Sequence, residues 1–238
     1  MWIKERPQQL LDSGRTTANF LYKKGKVYVM DNHLCAAWCW LQETDITKSY
    51  DFYHIDRHND LLYPIPSIKE DLLNHNVDLR KVTFEEYVEL NENHPEELNI
   101  KVPLFRWDNY ILNLNEVYPN FLGATNFITK EPYPDNEFID WEYKIEDFLN
   151  SLHHWLKDSQ YGCIVNLDID FFYSNSKGYY QIYSDELIRK VGNVLVENMD
   201  KIDVITIALS PECCGGWENA FETMKILDKV LDLGMEIS

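Results

Sequence analysis

The strongest constraint in this sequence is a set of apolar runs that each end in acidic or imidazole groups. Cys163-Ile164-Val165-Asn166-Leu167 ends at Asp168-Ile169-Asp170, and Val204-Ile205-Thr206-Ile207-Ala208-Leu209 ends at Ser210-Pro211-Glu212. Asp51-Phe52-Tyr53-His54-Ile55 runs straight into Asp56-Arg57-His58-Asn59-Asp60, and Val27 to Met30 leads to Asp31-Asn32-His33. Short, continuously apolar runs suit strands buried on both faces, as in parallel sheets covered by helices. Helical stretches alternate with them: Leu34 to Leu41, Asp185 to Met199 and roughly Trp217 to Leu233. The expected class is therefore α/β with a mainly parallel central sheet.

The remaining punctuation is local. Asn19 to Tyr22 and Val27 to Met30 flank Lys23-Lys24-Gly25-Lys26, which predicts a β-hairpin. The middle, from about Ser67 to Asp140, reads as helical stretches mixed with loops. Thr83-Phe84-Glu85-Glu86-Tyr87 has the spacing of a capping box. Pro132 and Pro134 mark a loop before a helix around Trp141 to Leu156. No repeat and no Gly/Ser/Pro-rich linker divides the chain, so one domain is expected over residues 1–238.

In open α/β sheets, ligands bind beyond the carboxyl ends of the strands, so these four run ends can converge on one site. If the backbone stays extended, the period of two puts Asp56, His58 and Asp60 on one face and turns Arg57 and Asn59 away. Asp168 and Asp170 repeat the pattern around Ile169. Four carboxylates gathered in one place repel one another, and burial makes the conflict worse unless they are protonated or bound to cations. Divalent metal resolves it. Mixed carboxylate and imidazole donors suit Mn²⁺, Fe²⁺ or Zn²⁺, and the excess of oxygen over any Cys ligand set favours Mn²⁺. The donors outnumber the needs of one tetrahedral ion, which points to two. His33 joins the set if the first run end also reaches the site.

Composition narrows the partners. The formal net charge is −18, which opposes binding to nucleic acid or an anionic membrane and draws in cations. The five cysteines show no C-x-x-C spacing and read as reduced thiols of a cytoplasmic protein. The start, Met1-Trp2-Ile3-Lys4-Glu5-Arg6, has no apolar core of a signal peptide, and no apolar run reaches the length of about 20 residues that a membrane span needs.

These segments resemble the signature of the ureohydrolases, the arginase and agmatinase superfamily. Asp31-Asn32-His33-Leu34 is similar to that family's G-D-H-S segment, which survives only as Asp-Asn-His-Leu. Asp56-Arg57-His58-Asn59-Asp60 matches its D-A-H-x-D segment, and Asp168-Ile169-Asp170 its D-x-D segment. A closer resemblance is to a small arginase-like family with L-D-I-D-F and S-P-E-C-C-G-G-W segments, seen here as Leu167 to Phe171 and Ser210 to Trp217. Its studied bacterial members resemble peptide arginases, which convert arginine side chains in a ribosomally made precursor peptide to ornithine and urea.

The resemblance implies an arginase-like three-layer fold and a pair of Mn²⁺ ions. One ion would take His33, Asp56, Asp60 and Asp168, the other Asp56, His58, Asp168 and Asp170. It makes Glu212 the catalytic-site residue that grips the guanidinium, and an arginine-containing precursor peptide the partner. An agmatinase-like reaction on a free guanidine and a non-catalytic metal-binding relative are the alternatives. No motif marks the proton-shuttling histidine of free-arginine arginases; His75, His94, His153 and His154 are its candidates. His54 reads either as a neighbour of the site or as a core histidine. Trp38 and Trp40 read as core. Trp107-Asp108 and the segment from Tyr173 to Tyr183 read as groove lining or as surface packing.

Overall fold

A computed structural model describes residues 1–13, 18–93, 101–130 and 136–236. His94, Pro132 and Pro134 lie outside the described residues. The chain opens with β1 (Trp2–Lys4) and the hairpin β2 (Leu21–Lys24) and β3 (Val27–Met30), which pair antiparallel from Leu21↔Met30 to Lys24↔Val27. The first arm sits later than its apolar run suggested. It carries on through Lys23 and Lys24, and the reversal is made at Gly25, whose φ of +58° is free of Cβ strain.

A single 3-10 turn, His33–Cys35, is capped by the Asn32 side chain accepting from Leu34 N, and α1 (Ala36–Glu43) continues from it. After β4 (Tyr50–Ile55) come α2 (Ile68–Asn74) and α3 (Phe84–Val88), with the capping box between Thr83 and Glu86 formed in both directions. The small pair β5 (Asn91–Asn93) and β6 (Lys101–Pro103) precedes α4 (Tyr110–Val117), β7 (Leu122–Ile128), β8 (Trp141–Glu142) and α5 (Ile145–Asp158). The last third holds β9 (Gly162–Asp168), the hairpin of β10 (Tyr173–Asn175) and β11 (Tyr179–Gln181), α6 (Asp185–Glu197), β12 (Ile202–Ala208), the short α7 (Pro211–Cys214) and α8 (Trp217–Leu231).

The middle of the chain departs from the sequence reading. It is not helices and loops alone, because β7 is an interior strand of the main sheet, paired along its length with β4. Its Gly123-Ala124-Thr125-Asn126 start lacks the apolar density that reveals the other strands. The helix expected from Trp141 begins at Ile145, since Trp141 and Glu142 pair with Asn126 and Phe127 at the sheet edge.

The eight-stranded sheet has the order β1-β2-β3-β12-β9-β4-β7-β8. From β3 to β8 every neighbouring pair is parallel; only β1, β2 and β3 meet antiparallel. Alternation along the strands feeds two separate cores. Tyr28, Phe52, Phe127, Ile164 and Val204 pack with α1 to α4 on one face, while Val29, Tyr53, Val165 and Ile205 pack with α5, α6 and α8 on the other. The architecture is thus a three-layer α/β fold with a mainly parallel central sheet. No described helix is long and apolar enough to cross a membrane.

Candidate metal centre

The register of the sheet builds the site. Thr206 pairs with Asn166, and Asn166 with His54, so three polar side chains form one row across β12, β9 and β4. Ile55 pairs with Leu167, so Asp56 and Asp168 come next on their neighbouring strands. The row lies on the α1–α4 face, where Phe52, Ile164 and Val204 precede it. The carboxylates therefore stand at the strand ends, with a polar floor beneath them.

The backbone does not stay extended there. β4 stops at Ile55, and Asp60 has a left-handed φ of +54°. The side chains of Asp56, His58 and Asp60 converge because the chain bends, not because a strand alternates. His58 N donates to Asp56 Oδ1 at 2.7 Å, which closes the bend. Asp168 likewise caps the 3-10 turn Ile169–Phe172, accepting from Asp170 N at 2.9 Å. Ile169 turns into the opposite core, as its apolar side chain demands.

Hydrogens on the polar floor can be counted. Trp40 Nε1 donates to Thr206 Oγ1 at 3.0 Å, and Thr206 donates to Asn166 Oδ1 at 2.6 Å. Asn166 Nδ2 then faces Tyr110 Oη at 2.7 Å, His54 Nδ1 at 3.0 Å and His33 Nδ1 at 3.1 Å. Its two hydrogens serve Tyr110 and His54. His33 Nδ1 donates to Tyr110 Oη at 2.9 Å, and Tyr110 passes its hydrogen to Asp60 Oδ2 at 3.3 Å. Placed this way, the side-chain hydrogens of Thr206, Asn166 and Tyr110 each find an acceptor. Two consequences follow. His33 holds its hydrogen on Nδ1 and turns Nε2 toward Asp168 Oδ2 at 3.0 Å and Asp56 Oδ2 at 3.4 Å. Neutral His54 then holds its hydrogen on Nε2, which has no hydrogen-bond partner and lies 3.6 Å from Asp56 Oδ2.

Asp56, Asp60, Asp168 and Asp170 are all at most 5% exposed. Burial, then the charges of Asp170 and Asp168, push the Asp56 carboxyl far above its usual range. Burial and Asp56 raise Asp60, and burial and Asp170 raise Asp168. Burial opposes ionisation of Asp170 too, but His58 and the Arg57 N–H hold it below the ordinary value. Burial would lower His58, yet Asp170 and Asp56 carry it up to about 11. Asp168 outweighs burial in the same way at His33. Burial, with His33 adding to it, drives His54 well down and leaves it neutral.

Two imidazoles thus face four carboxylates. Asp56 Oδ2 and Asp170 Oδ2 are fully buried without a hydrogen-bond partner. One atom each from His33, Asp56 and Asp168 lies within 4.8 Å of the others, and the same holds for His58, Asp170 and Cys213. This donor set fits divalent cations in charge, ligand type and spacing.

Above the carboxylates opens a cavity of about 200 Å³. His33, His58, Asp60, Asp168 and Asp170 line it, with Ser13, Trp107, Ser210, Glu212 and Cys213 on its walls. A larger groove between α5 and α6 contains none of these groups. Ser210 adopts a left-handed φ of +36° just past β12 and donates to Asp168 Oδ2 at 2.5 Å, a strained residue held by its bond to the site. Glu212 is exposed at the rim, where its Oε1 accepts from Ser13 N at 2.5 Å.

All six residues expected to bind metal meet at this place, and Glu212 stands at its mouth. Tyr110, Asn166 and Thr206 were not foreseen; a polar residue within an otherwise apolar run was the available sign for Asn166 and Thr206. Cys213 was not foreseen as a donor either. Among the described candidates for a proton shuttle, His75 ends α2, while His153 and His154 are exposed on α5; none lines the cavity. Trp38 and Trp40 are core residues, and Trp107 lines the cavity. The tyrosine-rich segment divides: Tyr173 is buried against Thr223, Tyr183 stacks on Phe171, and Tyr179 and Tyr180 are exposed. All five cysteines are free.

The chain is similar in structure to the arginase from Bacillus subtilis, with a TM-score of 0.49 at 13% sequence identity, over 89% of this chain and 72% of that one. No protein-family model matches it, and no curated protein does.

Proposed function

We propose that this chain is a binuclear metal hydrolase that acts on the guanidinium of arginine within a precursor peptide, releasing urea and leaving ornithine. The observation that carries this reading is the meeting of four buried carboxylates with ring nitrogens of His33 and His58 under a cavity with a carboxylate at its rim. His33, Asp56, Asp60 and Asp168 would hold one ion, and Asp56, His58, Asp168 and Asp170 the other. The carboxylate excess favours Mn²⁺, most clearly on the His33 side. When bound, such a pair would supply a water acidified toward neutrality.

The protein's own groups do the rest. Glu212 accepts N–H bonds from the planar guanidinium, a charge-assisted contact that fixes its angle. Ser13 N and Ser210 Oγ hold Glu212 and Asp168 in place. A cavity of about 200 Å³ suits one side chain and leaves the rest of a peptide outside. Leu62 and Tyr63, two and three residues after Asp60, are 43% and 85% exposed and would offer apolar footing for a peptide backbone. The acidic surface attracts a cationic segment. In this reading the residues act within a single cytoplasmic domain.

The test is incubation with Mn²⁺ and either an arginine-containing peptide or free arginine, followed by mass spectrometry and urea assay. The peptide is expected to lose the mass of the amidine carbon and nitrogens as urea appears. Hydrolysis of free arginine alone would replace the peptide reading with a small-guanidine one. Metal uptake without any hydrolysis would make the chain a binding protein. Glu212→Gln is expected to raise KM more than it lowers kcat, with metal content unchanged.

A further inference from the structure

Two neighbouring cysteines in α7 have opposite surroundings. Cys214 is fully buried in the core under β12, with its Sγ on the Leu209 carbonyl at 3.4 Å. Cys213 faces the other way and lines the cavity. One turn of helix closed on Ser210 O makes this split: Cys213 N and Cys214 N reach that carbonyl at 2.9 and 3.2 Å, and Gly215 at φ +88° then ends the turn.

Cys213 Sγ, a ring nitrogen of His58 and a carboxylate oxygen of Asp170 lie within 4.8 Å of one another. A second observation points at the same spot. Asp170 is 0% exposed, and its Oδ2 has no hydrogen-bond partner, although His58 Nδ1 is 3.1 Å away. A buried carboxylate oxygen left in that position is costly unless something positive completes it.

We propose that Cys213 is a thiolate ligand of the ion held by His58 and Asp170, so that the two halves of the centre differ in chemistry. This deepens the metal reading above and rests on it. The His33 half offers only nitrogen and oxygen. The His58 half adds sulfur, a soft donor that selects Zn²⁺ or Co²⁺ over Mn²⁺. As the sulfur–metal bond forms, the S–H bond breaks and its proton leaves to solvent. The centre is then a mixed pair, with manganese beside a softer ion.

Cobalt titration of the full chain tests this, with bound metal counted by elemental analysis and thiolate coordination read from its near-ultraviolet charge-transfer band. The parent is expected to show the band. Cys213→Ser is expected to bind cobalt without it, and Cys214→Ser to keep it. Cobalt bound by the parent with no thiolate band would overturn the proposal while leaving the metal centre standing. A band that survives Cys213→Ser would overturn it too. Failure to bind cobalt, zinc or manganese at all would remove the centre itself. Should the variants not fold, zinc-edge X-ray absorption of the parent decides: a sulfur neighbour at about 2.3 Å is expected, and nitrogen and oxygen neighbours alone would refute the assignment.

Discussion

Tyr110 Oη lies 2.9 Å from Nδ1 of His33, with the two rings stacked 5.2 Å apart. That contact fixes which nitrogen of His33 faces the carboxylates. Tyr110→Phe keeps the stacking and removes the hydroxyl that accepts from His33 and donates to Asp60. Partners of this kind typically contribute 10–100-fold to metal affinity, so a loss of about that size is expected on calorimetric titration. An unchanged affinity would show that the ring alone orients His33.

Thr206→Val alters shape very little, yet it strips Trp40 Nε1 of its acceptor and Asn166 Oδ1 of its donor. Both groups are buried. Each orphaned partner costs roughly 1–3 kcal/mol, so urea unfolding should show a clearly lower midpoint at an unchanged slope. Thr206→Ser, which retains the hydroxyl, should recover most of the loss.

Burial, and then the charges of Asp170 and Asp168, oppose ionisation of Asp56. Asp56→Asn removes that repulsion and a proposed bridging ligand together. With chelator present, its thermal midpoint should lie above the parent's; with Mn²⁺ added, the parent should rise and the variant should not. A variant that gains as much from metal as the parent would take Asp56 out of the ligand set.

Lys130 Nζ sits 4.4 Å from the Phe171 ring and 4.5 Å from that of Tyr183. Burial lowers its ammonium to about 8, only partly opposed by Asp170. An unfolded lysine titrates near 10.4. Between about pH 8 and 10.4 the unfolded chain holds a proton that the folded chain has released, so this group adds stability as pH rises through that window. Below it, the penalty of burying the charge is fully present. The stability difference between Lys130→Met and the parent, read by chemical denaturation at pH 7.5 and 10, should therefore shift in the parent's favour at the higher pH. A pH-independent difference would mean that the side chain is solvated.

Much of the site was legible because its donors sit where apolar runs stop. Asp56, Asp168 and Asp170 follow strands whose hydrophobicity is unmistakable, and a parallel sheet brings such ends together. The reading of Asp56, His58 and Asp60 as one strand face was wrong in detail: the left-handed residue at Asp60 belongs to a bend that alternation cannot express. β7 escaped notice because its first half is small and polar, and its place in the sheet comes from pairing with β4. Tyr110 could not be read at all. It is 77 residues from His33, on a helix of ordinary composition, and only the packing of α4 over the sheet reveals its role. Cys213 was hidden by its twin, since nothing in a Cys-Cys pair tells which sulfur faces the core.

The sheet order has a further consequence for how the chain is made. β12 follows every other strand in the sequence, yet it is the strip that joins β1, β2 and β3 to β9, β4, β7 and β8. Until it inserts, β3 and β9 each present a bare edge, a template for wrong pairing. Such long-range closure is slow. His33 and Asp168 belong to different halves until that moment. During synthesis, the growing chain therefore carries an unfinished centre and two open seams, and one late strand closes both.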